Sequence, residues 1–179
     1  MIINTSRNQK LCWILFIIYL IGLTYFTFFA EALGRANVLE AGQAIKFNLV
    51  PFREIKRFWI YREQLGYGAF ILNIFGNVLA FIPCGFLLSV ISRRCRFFAL
   101  NMVIGLFISF LIECTQLLFR VGSFDVDDMI LNTLGVCLGY AAYVLVQHLR
   151  AARRKKKERR IVKIRQIDPD EYIDFDKSR

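Results

Sequence analysis

Apolar residues fill four stretches of this chain, each about as long as a helix that crosses a membrane. Leu11 to Ala30 and Ala69 to Ser92 carry no charge, Phe97 to Phe119 carries only Glu113, and Met129 to Leu149 carries none, with His148 near its end. About 20 mainly apolar residues in a helix cover the roughly 30 Å of bilayer hydrocarbon. The pattern therefore predicts four transmembrane helices at about 11–30, 69–92, 97–119 and 129–149. The expected fold class is all-α: a polytopic membrane protein built as a four-helix bundle, with a long outer loop and a basic cytoplasmic tail. Residues 1–10 form the N-terminal flank, 11–149 the transmembrane domain and 150–179 the tail. Ala30-Glu31-Ala32 resembles a signal-peptide cleavage site. The run before it is longer than the 7–15 apolar residues of a signal core, so an uncleaved helix is expected.

Two segments between and after the spans have their own pattern. In the long loop, Pro51 suits a helix start, where its missing N–H is not needed. Phe52, Ile55 and Trp59 then recur at helical spacing among Arg53, Lys56, Arg57 and Arg62. A short helix in the headgroup layer, anchored by Trp59 and Tyr61, fits this spacing, and so does an ordered loop packed over the bundle. After the fourth span comes Arg150-Ala-Ala-Arg-Arg-Lys-Lys-Lys-Glu-Arg-Arg, and from Asp168 the chain turns acidic and is expected to be disordered.

Composition agrees with a bilayer protein: 56% of residues are hydrophobic and 18 are Phe. The net charge of +10 is not spread evenly, since 12 of the 24 Lys and Arg follow Leu149. No nucleic-acid motif accompanies them, so the bilayer, and anionic lipids at the tail, are the expected partners and nucleic acid is not. The basic residues also set topology. Arg7, Lys10, Arg93, Arg94, Arg96 and the tail place 17 on one side, against 7 on the other, so both termini are expected in the cytoplasm. Without the tail the count is 5 against 7, so orientation rests on the tail. The five cysteines show no CxxC or His–Cys spacing. They read as small apolar residues, and neither a metal site nor a cofactor is expected.

Polar residues inside spans are costly and need partners or a wet cavity. Here they share faces. Asn73 and Asn77 lie four apart; Ser109, Glu113 and Gln116 follow at four and three; Asp125, Asp127 and Asp128 lead into the fourth helix, with Asn132, Gly135 and Gly139 along one stripe. At 1.5 Å per residue, Asn77 lies about 12 Å, Glu113 about 9 Å and Asn132 about 5–6 Å from the outer ends of their helices. Gly76, Gly135 and Gly139 would let backbones approach near those faces. The economical reading is a polar pocket opening outward, lined by Asn73, Asn77, Glu113, Gln116, Asp125, Asp128 and Asn132. The plain alternative for the amides is hydrogen-bonded glue between helices. For the aspartates it is capping of the fourth helix, which accounts for one of the three. A carboxyl at the depth of Glu113 must be neutral or paired, and Arg120 is the nearest cation on its helix. Pro83, with Gly85 beside it, predicts a kink in the second helix that widens the outer half.

These residues resemble a known pattern. Asn48-Leu-Val-Pro51-Phe52, Asn73-Ile-Phe-Gly76-Asn77 with Phe81, Pro83 and Gly85, Ser109 through Glu113 to Gln116, and Phe124-Asp125-Val-Asp127-Asp128 with Asn132-Thr133, Gly135 and Gly139-Tyr140 are similar to the VanZ-like family. The resemblance spans roughly 11–147 and omits the tail. It implies a small multi-helix membrane protein of the bacterial cell envelope, in a family some of whose members are linked to resistance to the glycopeptide teicoplanin. It carries over no catalytic role.

Three function classes remain. A non-enzymatic envelope protein would bind a cell-wall precursor or another lipid-like or glycopeptide-like ligand in the pocket, through hydroxyl, amide and sugar contacts. An intramembrane hydrolase or transferase acting on a lipid-linked substrate would use Glu113 as acid/base, with Asp125 or Asp128 orienting water or a divalent cation. A transporter or scaffold subunit would require an oligomer of these four helices. The balance favours the first. The single histidine, His148, is at the end of its span away from Glu113, so no histidine-based catalytic pair is available.

Overall fold

The computed structural model describes residues 7–36, 47–119 and 123–167. Six helices carry nearly all of the described chain: α1 (Arg7–Ala36), α2 (Arg53–Ile60), α3 (Arg62–Leu65), α4 (Tyr67–Ile91), α5 (Phe98–Leu118) and α6 (Val126–Ile167). One 3-10 turn, Arg94–Arg96, joins α4 to α5. Two short strands, β1 (Phe47–Asn48) and β2 (Phe124–Asp125), pair in parallel, Phe47 opposite Phe124 and Asn48 opposite Asp125. Four helices contain segments long and apolar enough to cross a bilayer: Lys10–Phe28, Asn73–Ile91, Phe98–Leu118 and Val126–Val162. The all-α polytopic class follows directly.

The chain forms two compact units, Met1–Ala141 and Ala142–Arg179. In the first, Phe16 and Leu23 of α1, Phe81, Cys84, Leu88 and Ile91 of α4, Ile112 of α5 and Val136 of α6 make one buried cluster with Cys95. Outward-facing positions are just as apolar: Ile18, Ile21, Leu79 and Val103 are all exposed. In lipid an apolar surface costs nothing, so hydrophobicity alone does not decide which face turns inward; close packing and the hydrogen bonding of polar side chains do.

Glycine shows this most clearly where α4 crosses α6. A Cβ on Gly139 would lie 2.0 Å from the Ile82 carbonyl oxygen, and one on Gly135 2.2 Å from that of Val78. From the other side, a Cβ on Gly85 would lie 2.0 Å from the Val136 carbonyl oxygen. The two backbones are in direct contact. Gly76 does not belong to this seam, contrary to the spacing argument, because nothing lies within 4 Å of a Cβ there. Pro83 is inside α4 and exposed. In the turn before it, the Ala80 carbonyl accepts the Tyr19 hydroxyl of α1 at 2.6 Å, an added partner where the proline ring disturbs the helix.

The end of the first unit opposite the loop is closed by Asn101 of α5. Its Nδ2 donates to the Gly85 carbonyl (3.2 Å), the Ser89 hydroxyl (2.8 Å) and the Cys95 carbonyl (2.9 Å). The Tyr140 hydroxyl donates to the Arg96 carbonyl at 2.8 Å. All five cysteines are free thiols, and Cys95 is buried between two exposed arginines.

In the second unit α6 continues to Ile167 without interruption. No Gly or Pro occurs between Tyr140 and Asp168, and Ala, Lys, Arg and Glu are strong helix formers. Arg154 pairs with Glu158 one turn on, at 2.9 Å, and the basic side chains from Arg150 to Arg160 are exposed. The acidic stretch from Asp168 lies outside the described residues.

The glycine seam gives the first prediction. Gly139→Ala should lower the melting temperature in detergent. Overpacking at backbone contact costs about 1–3 kcal/mol, and it opposes a helix-propensity gain of about 1 kcal/mol. Gly76→Ala should hold or raise the melting temperature. Equal behaviour of the two variants would contradict the seam.

Candidate functional site

The polar residues of three spans meet at the end of the first unit where β1, β2 and α2 lie. Their side chains bond to one another and to backbone groups of the loop. Asn77 of α4 donates from Nδ2 to Asp128 Oδ1 of α6 at 2.6 Å. One turn along α6, Asn132 donates from Nδ2 to Ser109 Oγ of α5 at 2.9 Å. Glu113 of α5 accepts the backbone N–H of Asp125 at Oε2, 3.0 Å away. These bonds fix the three helices at a common level.

Asp125 is the hinge of the network. Parallel pairing places Asn48 and Asp125 side by side, and Asn48 Nδ2 donates to Asp125 Oδ1 at 2.9 Å. The same oxygen accepts the N–H of Asp127 at 2.8 Å, an Asx turn that begins α6. Burial pushes the Asp125 carboxyl above the ordinary carboxylate range, the two donors pull it back, and the charge of Asp127 raises it again. Glu54 is also pushed up by burial, opposed by Arg57 at 2.7 Å.

Asp127 has the most demanding position. The residue is 1% exposed. Oδ1 accepts the N–H of Phe52, and Oδ2 accepts those of Glu54 (2.7 Å) and Ile55 (3.2 Å). These N–H groups lie at the start of α2, where a helix has unpaired donors and a partial positive charge. A carboxylate more than 70 residues away in sequence thus caps α2. Phe52, its N-cap, has no side-chain cap bond and takes a left-handed backbone, φ 64°. That conformation costs a non-glycine residue about 1–3 kcal/mol. It aims the Phe52 N–H at Asp127, which accounts for the strain. This is also why α2 starts at Arg53 and not at Pro51.

Of the residues expected to line a pocket, Asn77, Glu113, Asp125, Asp128 and Asn132 belong to this network. Asn73, one turn before Asn77, is half-buried and takes no part in these bonds, and buried Gln116 likewise stands outside them. The suggested pairing of Glu113 with Arg120 falls outside the described residues. Capping of the fourth helix is expected of one of the three aspartates, with none singled out; Asp127 caps α2 instead. Asn48 carried no sequence signal except its place in the family pattern, because a two-residue strand has no periodicity to read. Among the described residues, no group of three or more His, Cys, Asp or Glu is arranged to hold a metal ion. Three amide oxygens among the described residues are buried without a hydrogen-bond partner: Asn48 Oδ1 and Asn132 Oδ1 in this region, and Asn101 Oδ1 at the other end of the bundle. Asp125 fixes the Asn48 amide with its nitrogen inward, which leaves that oxygen for another donor.

Two predictions follow from this geometry. Asp127→Ala should destabilise the protein by at least about 2 kcal/mol, since it leaves the start of α2 uncapped in a buried setting. Hydrogen exchange should accelerate at the Phe52, Glu54 and Ile55 amides while α5 stays protected; unchanged exchange there would refute the cap. The second concerns pH. A raised acid pKa means that the folded chain binds the proton more tightly than the unfolded one. The Asp125 contribution is therefore fully present below 3.8 and is lost as pH rises through the folded value. Asp125→Asn keeps an oxygen for Asn48 and Asp127 but does not titrate. Its stability relative to the parent protein should grow as pH rises above that point; a constant difference would count against it.

The profile of the VanZ/LLP1 family matches residues 16–147. Protein VanZ of Enterococcus faecium is 30% identical over 128 residues, which cover 72% of this chain and 70% of that protein. No solved structure matches the chain significantly.

Proposed function

Since the chain belongs to the VanZ/LLP1 family, we propose that it is a non-enzymatic protein of the bacterial cell envelope that contributes to tolerance of teicoplanin-type glycopeptides by binding an envelope ligand at the loop end of its bundle. In this reading both termini are cytoplasmic, the loop end faces outward and the basic tail meets the anionic inner leaflet. One observation carries the ligand: of the three buried amide oxygens without donors among the described residues, two, Asn48 Oδ1 and Asn132 Oδ1, lie together at this acid-rich end, the third being Asn101 Oδ1 at the other. Each unpaired group costs about 1–3 kcal/mol, which a ligand N–H or hydroxyl would recover. Lipid-linked cell-wall precursors and glycopeptides carry both kinds of donor. The carboxylates act as organisers: Glu113 holds β2 against α5 and Asp128 holds α4 against α6, and so they shape the place where those acceptors lie.

A strain deleted for the protein should become more sensitive to teicoplanin, and the parent gene should restore growth. Glu113→Gln, Asp128→Asn and Asn48→Ala should fail to restore it at equal membrane abundance. A cysteine introduced by Lys56→Cys should react with an impermeant maleimide from outside the cell. Full restoration by all three variants would sink the ligand reading, and labelling only after lysis would sink the orientation.

A further inference from the structure

We infer that α2 and its flanks form a lipid-binding platform seated among anionic phospholipid headgroups at the loop end of the bundle. The inference rests on the membrane-spanning helices and not on the resistance reading. No residue of α2 is fully buried; Glu54, Ile55 and Phe58 are half-buried and the rest are exposed. Leu49, Val50, Phe52, Trp59, Ile60 and Tyr61 are all exposed large side chains, in two groups that flank the capped helix start and its end. In water such a patch would be a liability; in the interfacial layer it is the expected surface.

Depth can be read from one contact. The Trp59 ring packs edge-on against Phe70, with centroids 5.8 Å apart. Phe70 lies three residues before Asn73, where the bilayer-crossing segment of α4 begins, so its Cα is about 4–5 Å above that level at 1.5 Å per residue. The headgroup layer is about 5–8 Å thick on each side of the hydrocarbon. Trp59 therefore sits at the depth that tryptophan favours, at the boundary between acyl chains and headgroups.

Charge selects the lipid. Between Arg53 and Leu65 there are four basic and two acidic side chains. Glu54 is paired with Arg57. The Arg62 guanidinium lies 5.4 Å over the Trp59 ring and that of Arg57 5.3 Å over Phe58, which holds cations at ring level. Arg53 and Lys56 are exposed beside them. A belt of cations at headgroup depth attracts phosphate-bearing anionic lipid over zwitterionic lipid.

The test uses the full chain carrying Trp13→Phe, which leaves Trp59 as the sole tryptophan. The protein is reconstituted in phosphatidylcholine vesicles containing brominated lipid. Trp59 fluorescence should be quenched more by bromine near the headgroup than by bromine deep in the chain. Brominated phosphatidylglycerol should quench more than brominated phosphatidylcholine at the same mole fraction. Adding Arg53→Gln and Lys56→Gln should reduce that preference several-fold while preserving the depth profile. Strong acrylamide quenching without bromine quenching would overturn the proposal, since the loop would then stand in water. Equal quenching by the two lipids would overturn its anionic selectivity. Shielding from both quenchers, with crosslinked dimers, would assign the face to a second copy of the chain.

Discussion

A single carboxylate holds the loop end of this protein together. Asp127 is almost fully buried, and its two oxygens take three backbone donors from the start of α2. In a medium of low polarity an ionised carboxyl is stable only if it is richly hydrogen-bonded, and unpaired N–H groups at a helix start are equally costly. Each problem is the solution of the other. The helix dipole adds a favourable field, and the left-handed turn at Phe52 is the geometric cost of closing the ring. Everything that follows Phe52 in the loop, including the placement of Trp59 against Phe70, is referenced to this point.

The same logic organises its neighbours. Asp125 takes a donor from Asn48 and one from Asp127, Glu113 takes the Asp125 backbone, and Asp128 takes Asn77. The four acids thus act as acceptors for groups on other elements, and they convert a loop, two strands of two residues and three spans into one unit. The bonds share residues: Asp125 offers its N–H to Glu113 and its side chain to Asn48. That coupling makes isosteric variants more informative than truncations.

How much of this was legible in the sequence follows from the range of the interactions. The four spans were, because a bilayer sets their length and excludes charge, a property of consecutive residues. Polar faces on α4, α5 and α6 were legible from spacings of three and four, and the bonds Asn77–Asp128 and Asn132–Ser109 join those faces. What spacing could not supply was partner choice. A local rule assigns an aspartate in the first turn to its own helix, and Asp127 serves α2 instead. Gly76 and Gly139 look alike in sequence, yet only the second meets a backbone. Asn48 was invisible to periodicity, and the stretches Asn48–Phe52 and Phe124–Asp128 become intelligible as the two sides of one junction.

The two ends of the first unit solve the same problem with different chemistry, and the difference bears on function. At the hairpin end one neutral amide, Asn101, donates to a hydroxyl and two carbonyls, with no ionisable side chain among those partners. At the loop end the organising groups are acids, and burial raises at least Asp125 and Glu54 from their ordinary range. Neutral closure suffices where the aim is only to join two helices. Clustered acids carry mutual repulsion and desolvation, a cost that a purely structural joint has no reason to bear. Their strength is as acceptors that hold backbone donors firmly while leaving the amide oxygens of Asn48 and Asn132 without a donor. Amide oxygens lack a donor at both ends, Asn48 and Asn132 Oδ1 at the loop end and Asn101 Oδ1 at the hairpin end, so what sets the loop end apart is its cluster of acids and not the unfilled acceptors.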